Sequence, residues 1–237
     1  AAMRIVARRH GCPLCVTEAL LDRTLLAGGR GFAKADLGDL HDNVPGGAED
    51  HPLVGQIMGS EPDEMAAAAV KMIEQGSRPP AHYRTMAYST GAPVAHATED
   101  RARSFAAIDV NLACPVKKIS RKARGGHWLD HPEGAVEILR AVRDALPPAI
   151  PTTVKRRRAF DDPPEFERAF FRIFDAAYEM GYAWATVHAR TVQQKYVGPS
   201  RWTFLRDLVR ARPDRVILGS GDVWEAGDIF RMLAYTG

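Results

Sequence analysis

The segment Ile108-Asp109-Val110-Asn111-Leu112-Ala113-Cys114-Pro115-Val116-Lys117-Lys118 gathers a thiol, an amide and two ammonium groups at one point of the chain. An apolar, β-branched stretch runs into a turn that ends on Cys114, with Asn111 three residues before it and Lys117 and Lys118 just after. A lone cysteine is most often a small buried hydrophobe. This one stands at a strand terminus in an electropositive setting, which suits a reactive thiol. An unperturbed thiol is mostly protonated at neutral pH, so such a group can serve as a general acid as well as a nucleophile.

Other polar residues end apolar runs in the same manner. Lys155 closes Thr153-Val154-Lys155, His188 opens His188-Ala189-Arg190-Thr191, and Gly219-Ser220-Gly221-Asp222 stands before the last helical stretch and offers backbone N–H groups to a phosphate. The elements that must carry them alternate. Strands are predicted over about 13–18, 52–58, 107–112, 150–155, 183–188 and 215–219. Helical periodicity lies between them: Met65, Ala69, Met72 and Ile73 after a capping pattern at Ser60 to Asp63; Val136, Leu139, Val142 and Leu146 after Asp130 and Pro132; Phe166, Phe170, Phe174 and Ala177; Phe204, Leu205, Leu208 and Val209; and Trp224, Phe230 and Leu233. Alternation of this kind predicts parallel βαβ units. Gln56, Asn111, Lys155, His188 and Asp222 fall at or just past the carboxyl ends of successive strands, where a (β/α)₈ TIM barrel builds its site. An open doubly wound sheet would bring only one or two strand ends to its crevice.

At 237 residues the chain suits one large α/β domain over 1–237, with a Pro-, Gly- and His-containing surface insertion over 77–104. No apolar run approaches the ~20 residues of a membrane span, and residues 1–9 form an amphipathic helix rather than a signal peptide. Three cysteines cannot build a disulfide framework, which fits a reducing compartment and a cytoplasmic location. Cys12 and Cys15 make a C-x-x-C pair after His10; in a strand over 13–18, side chains three apart point to opposite faces, so these sulfurs are expected not to converge and no metal site is predicted. The net charge is only +3, but Lys117, Lys118, Arg121, Lys122 and Arg124 form one basic run and Lys155, Arg156, Arg157 and Arg158 another, both directly after predicted strands. Two such runs on one rim would attract a polyanion.

Val16-Thr17-Glu18, Gly55-Gln56-Ile57-Met58-Gly59, Asp109 to Pro115 with Lys118, Val154-Lys155-Arg156-Arg157, His188 to Thr191 with Gln194, Tyr196 and Gly198, and Gly219 to Asp222 together resemble the flavin-dependent tRNA-dihydrouridine synthases. The resemblance implies a TIM barrel that holds FMN, NADPH as reductant, tRNA as substrate, and hydride delivery to C6 of a flipped-out uridine while a cysteine protonates C5. It makes Cys114 the general acid and places Gln56, Lys155, His188, Gly219, Ser220, Gly221 and Asp222 around the flavin. Asn111 and Arg190 would hold the uracil, and Lys117, Lys118, Arg157, Gln194 and Tyr196 would meet the RNA. Ala113 and Ser220 replace the glycine and asparagine of many members. The family's first and eighth strands and its helical tRNA-binding domain have no counterpart within the sequence. A barrel incomplete at both ends, showing strands two to seven and binding FMN weakly, is therefore expected. The alternatives are another FMN barrel of the dihydroorotate dehydrogenase kind, or an inactive, flavin-free fragment; no protein partner is evident.

Overall fold

The computed structural model describes residues 2–27, 50–76 and 105–237, so the insertion expected over 77–104 lies outside the described residues. Helix α1 (Ala2–Arg9) precedes two short strands, β1 (Cys15–Val16) and β2 (Leu20–Leu21), and helix α2 (Asp22–Leu26). Strands and helices then alternate: β3 (Leu53–Met58), α3 (Pro62–Gly76), β4 (Ala107–Leu112), the single turn α4 (Lys117–Ser120), a 3₁₀ turn over Gly125–Leu129, and α5 (Pro132–Ala145). They continue with β5 (Thr152–Ala159), α6 (Pro164–Glu179), β6 (Trp184–Thr191), α7 (Trp202–Ala211), β7 (Ile217–Ser220) and α8 (Ala226–Thr236). Proline at the first position of α3, α5 and α6 sets the helical φ where no N–H is needed.

The strands pair in parallel in the order β1-β3-β4-β5-β6-β7, with β2 also on β3. β1 pairs with Leu53 and Val54 and β2 with Ile57 and Met58, so these two lie end to end along one edge of β3. The sheet curls into a half-barrel, an incomplete (β/α)₈ architecture as the sequence predicts. β3 and β4 are buried at every position, as strands covered on both faces are. On β4, Ile108, Val110 and Leu112 join the apolar core under the helices. The two-residue period of the strand turns Asp109 and Asn111 the other way, into the barrel, where Asp109 meets Gln56 and Thr153 and Asn111 meets Gln56.

Several boundaries differ from the sequence reading. The strand expected over 13–18 narrows to Cys15–Val16, and Cys12 sits in the turn after α1, so strand alternation does not separate the two thiols: their sulfurs lie 3.8 Å apart. β5 runs on to Ala159, which puts Arg156, Arg157 and Arg158 inside a strand rather than after one, and all three are buried. The second basic run is therefore not solvated rim. The last helix also departs from expectation. Trp224, Phe230 and Leu233 are 84%, 72% and 60% exposed, and Met232 is the α8 residue that packs inward, because among the described residues nothing covers the outer side of β7 and α8.

Between β5 and α6 the helix layer is aromatic, with Phe170 stacked on Phe174 and edge-on to Phe204 of α7. Alternation sends Arg156 into this layer, 4.0 Å over the Phe170 ring, and its three guanidinium nitrogens find no hydrogen-bond partner among the described residues. Burial pushes its pKa down to about 9 against the pull of Asp175, and the ring face supplies a cation–π contact.

Near the start of the barrel, Asp22 is wholly buried. Its Oδ1 accepts from Arg23 N–H and from Arg124 Nη2 at 2.9 Å, and its Oδ2 accepts from Ser60 N–H. This ties α2 to the loop after α4. Removing one partner of a buried pair costs about 3–5 kcal/mol because the other charge stays buried. Arg124→Met is therefore expected to lower the unfolding free energy by about 3 kcal/mol in urea denaturation, with part of the loss recovered in Arg124→Met/Asp22→Asn. A loss below ~1 kcal/mol would show that solvent replaces the guanidinium.

Candidate active site

Register across three strands builds the floor. Gln56 pairs with Asp109 and Asp109 with Thr153, so the three side chains stand abreast inside the half-barrel. Asp109 accepts on both carboxylate oxygens, from Thr153 Oγ1 at 2.6 Å and from Gln56 Nε2 at 2.7 Å. Burial raises its pKa from 3.8 to about 6, against those two hydrogen bonds and the charge of Lys155. The backbone N–H of Gln56 is fixed in turn by Thr17 Oγ1 at 2.9 Å.

One step up, Asn111 pairs with Lys155. Asn111 Nδ2 donates to Gln56 Oε1, and its Oδ1 accepts from the backbone N–H groups of Ala113 and Cys114 at 2.9 and 3.2 Å. This folds the turn that carries the thiol. The 3₁₀ turn backs it from below: Gly126 N–H donates to Cys114 O, and a Cβ at Gly125, whose φ is +58°, would lie 2.8 Å from Cys114 Cβ. Cys114 is part-exposed, while Lys117, Lys118, Arg121 and Lys122 are exposed just beyond it. Burial pushes the Lys155 ammonium below its ordinary value, opposed by Asp109 and reinforced by Arg157.

On the far side, Arg157 pairs with His188 and His188 with Ser220. Burial lowers the His188 pKa to about 4, helped by the charges of Arg157, Lys155 and Arg190 and opposed by Asp222. His188 Nδ1 accepts from Arg190 N–H at 3.2 Å, which assigns the proton of the neutral ring to Nε2. That face of the ring looks at Gly221, where a Cβ would come within 3.2 Å of Nε2 and 2.5 Å of Ser200 Oγ. Gly219 is required by packing as well, since a Cβ there would meet Met232 Sδ at 2.9 Å.

The arginines serve as staples here. Arg157, 2% exposed, donates to Ala113 O, Thr191 O and Lys195 O, and so clamps the Cys114 turn to the loop after β6. Its expected place on an RNA-facing rim is corrected accordingly: the length of β5 turns it inward. Arg190 donates to Gly198 O from both Nε and Nη2 and also binds Asp222. Asp222, at φ +58°, accepts Ser200 N–H too; burial works against its charge, but these bonds hold its carboxyl below the ordinary range. Gln194 donates to Pro199 O within the same loop, whereas Tyr196 is 72% exposed, with the Arg157 guanidinium 5.5 Å from its ring.

The structure thus brings Gln56, Asn111, Cys114, Lys155, His188 and the Gly219–Asp222 loop to one end of the half-barrel. Two open cavities adjoin them: one of about 280 Å³ lined by Thr17, Gln56, Asp109, Thr153 and Lys155, and one of about 620 Å³ reaching from His188 and Arg190 along Gly219–Asp222 to Trp224. Asp109, Thr153, Thr17 and Gly125 hold the site and were not assigned from the sequence. Asp109 and Thr17 lie within segments that carry the family resemblance, which gave them no role. No cluster of three or more potential metal ligands occurs among the described residues.

A family model described as Dihydrouridine synthase (Dus) matches residues 89–237. The chain belongs to the dihydrouridine synthase family. It is 29% identical over 186 residues to the tRNA-dihydrouridine(16) synthase of Shewanella oneidensis, an alignment covering 78% of the chain and 49% of that protein. The tRNA-dihydrouridine(16) synthase of Pseudomonas putida is 28% identical over 229 residues, covering 94% of the chain and 58% of that protein. The tRNA-dihydrouridine synthase B of Yersinia pestis is 29% identical over 182 residues. The chain spans about half the length of the curated relatives it matches. The segment outside the family match includes Gln56 and Thr17, which hydrogen bonds nevertheless tie to Asp109 and to β3.

The state of His188 is measurable. The unfolded chain takes up a proton near the ordinary value of 6.5, the folded chain only near about 4. Between those values the unfolded state binds more protons, so this group lowers stability as pH falls from about 6.5 to about 4. An NMR titration is expected to show the His188 ring neutral down to pH 5, and His188→Gln should flatten the stability slope in that window. A ring titrating at its ordinary value would contradict the assignment.

Proposed function

We propose that this chain forms the catalytic barrel of an enzyme that reduces uridine in tRNA to 5,6-dihydrouridine, with FMN as cofactor and NADPH as reductant. The observation that carries the reading is the placement of Cys114 at a strand end, on a turn fixed by Asn111, beside Gln56, Lys155 and a neutral His188. Those residues fit a flavin. Lys155 brings a cation and His188 Nε2–H a donor, as a ring needs where negative charge develops on reduction. Gln56 and the glycine loop Gly219–Gly221 complete the cofactor side. FMN, reduced by NADPH, would supply the hydride for uracil C6.

Cys114 then has one task, to give its Sγ proton to uracil C5 as that carbon gains electron density. Asn111 keeps the thiol's turn in place and retains one amide hydrogen for the base. A uridine must leave its stack to reach the cavity, and the exposed Tyr196 ring offers a surface for a displaced base. Lys117 and Lys118, with Arg121 and Lys122, form the phosphate-binding rim. Arg157, Arg190 and Gln194 act on the RNA indirectly, by shaping the loop that carries Tyr196. No described helix is long and apolar enough to cross a membrane.

Two measurements test this on the protein expressed from its whole reading frame. Cys114→Ala should keep bound flavin and its reduction by NADPH but lose ~10² to 10⁴ in dihydrouridine formation. Undiminished turnover would remove Cys114 from the mechanism, and turnover of a small acid in place of tRNA would favour a dihydroorotate dehydrogenase-like oxidoreductase. Replacing Lys117 and Lys118 together by alanine should reduce the log–log salt slope of tRNA affinity by roughly one unit per lost phosphate contact. An unchanged slope would mean that the rim is ordinary surface.

A further inference from the structure

The two amides on the floor of the site have only one workable orientation, which the backbone of the Cys114 turn sets and Asp109 completes. Backbone N–H groups can only donate. Those of Ala113 and Cys114 therefore fix Asn111 Oδ1 toward themselves and turn Nδ2 toward Gln56. Gln56 must then offer Oε1 to Asn111, which turns its own Nε2 toward β4. A donor arriving there needs an acceptor, and the carboxylate of Asp109 supplies it at 2.7 Å. Inverting either amide would set donor against donor or acceptor against acceptor. Gln56, Asp109 and Asn111 are 6%, 3% and 8% exposed, so such a clash would be costly.

We infer that Asp109 is a positioning residue: its ionised carboxylate is the terminal acceptor that anchors a hydrogen-bond relay running through Gln56 and Asn111 into the backbone of the Cys114 turn. The inference rests on the proposed function for its catalytic consequence and on the relay alone for its structural one. Each amide nitrogen spends one hydrogen on the relay and keeps one, so the floor presents donors to carbonyl-bearing ligands. Thr153 Oγ1 holds the second oxygen of Asp109 at 2.6 Å from the opposite strand. The Lys155 ammonium on β5 favours ionisation of the carboxylate. The buried Tyr182 phenol, whose hydroxyl donates to Leu139 O in the helix layer, is held protonated by its burial. With the carboxyl raised to about 6, the charge that strengthens the relay is lost just below neutral pH. A protonated Asp109 still has an oxygen for Gln56, but as an uncharged and weaker acceptor, so the relay loosens when the charge is lost. Asp109→Asn should imitate that state.

Three proteins decide the matter: wild type, Asp109→Asn and Thr153→Val, each from the whole reading frame with FMN, assayed for dihydrouridine formation from pH 5 to 8. The wild-type rate should fall on an acid limb near pH 6. Asp109→Asn should bind flavin, fold, run tenfold or more below wild type at pH 8, and lack that limb. Thr153→Val, which removes a hydrogen bond that favours ionisation, should move the limb to higher pH. A wild-type rate and an unchanged limb in Asp109→Asn would overturn the inference, as would a limb in Thr153→Val that stays in place or moves to lower pH. If wild type makes no dihydrouridine at any pH, the functional reading has failed and the relay is judged by NMR. Slow exchange of the Gln56 and Asn111 side-chain amides, lost as pH drops through 6 and absent in Asp109→Leu, would support it. Exchange independent of Asp109 would overturn it.

Discussion

Because β4 pairs with β3 on one side and with β5 on the other, in a register that sets Gln56, Asp109 and Thr153 abreast, three buried polar side chains are forced together. A buried polar group without a partner costs on the order of 1–3 kcal/mol, so that register is tolerable only if each side chain answers its neighbour. The strand period does the rest. Two residues further along β4 the same inward face carries Asn111, and three residues beyond that the chain has turned to place Cys114. The position of the thiol is thus fixed by the pairing of strands, and the loop only finishes it.

The arginines show a second use of burial. A net charge of +3 suggests little about them, yet Arg124, Arg156, Arg157, Arg158 and Arg190 are all largely withdrawn from solvent. Four of them spend their donors on backbone carbonyls or carboxylates belonging to other segments, as the planar fork of guanidinium allows. Loops after β4, β6 and β7 are held to one another in this way as well as by the packing of Val192 against Gly126. Arg156 is the exception, held against an aromatic ring alone.

The alternation of apolar strands and amphipathic helices was legible from the sequence because strands covered on both faces are nearly all apolar, and helices resting on them are apolar on one side. β3 and β4 begin and end within a residue of expectation for that reason. The polar strand-end residues could be placed for the same reason, since each interrupts an apolar run. β5 ran further than expected because charged residues at 156–158 look like solvent-exposed chain, and only tertiary contacts with Ala113, Thr191 and Phe170 make their burial possible. The meeting of Cys12 and Cys15 was missed because a strand was extended over a turn. Asp109 sits inside an apolar strand, where composition gives no sign of which neighbours flank it; its partners are separated from it by 53 and 44 residues and become visible through register alone.

Gly125 gives the site a vulnerability of its own. Its missing side chain is what allows the 3₁₀ turn to lie against the thiol, and both its positive φ and the 2.8 Å approach to Cys114 Cβ exclude any larger residue without displacement. Natural variation should therefore treat positions 114 and 125 as one character: a lineage that alters the glycine has in effect moved the Cys114 thiol, although the cysteine itself is unchanged. Drift could thus displace the thiol from a position eleven residues away along the chain.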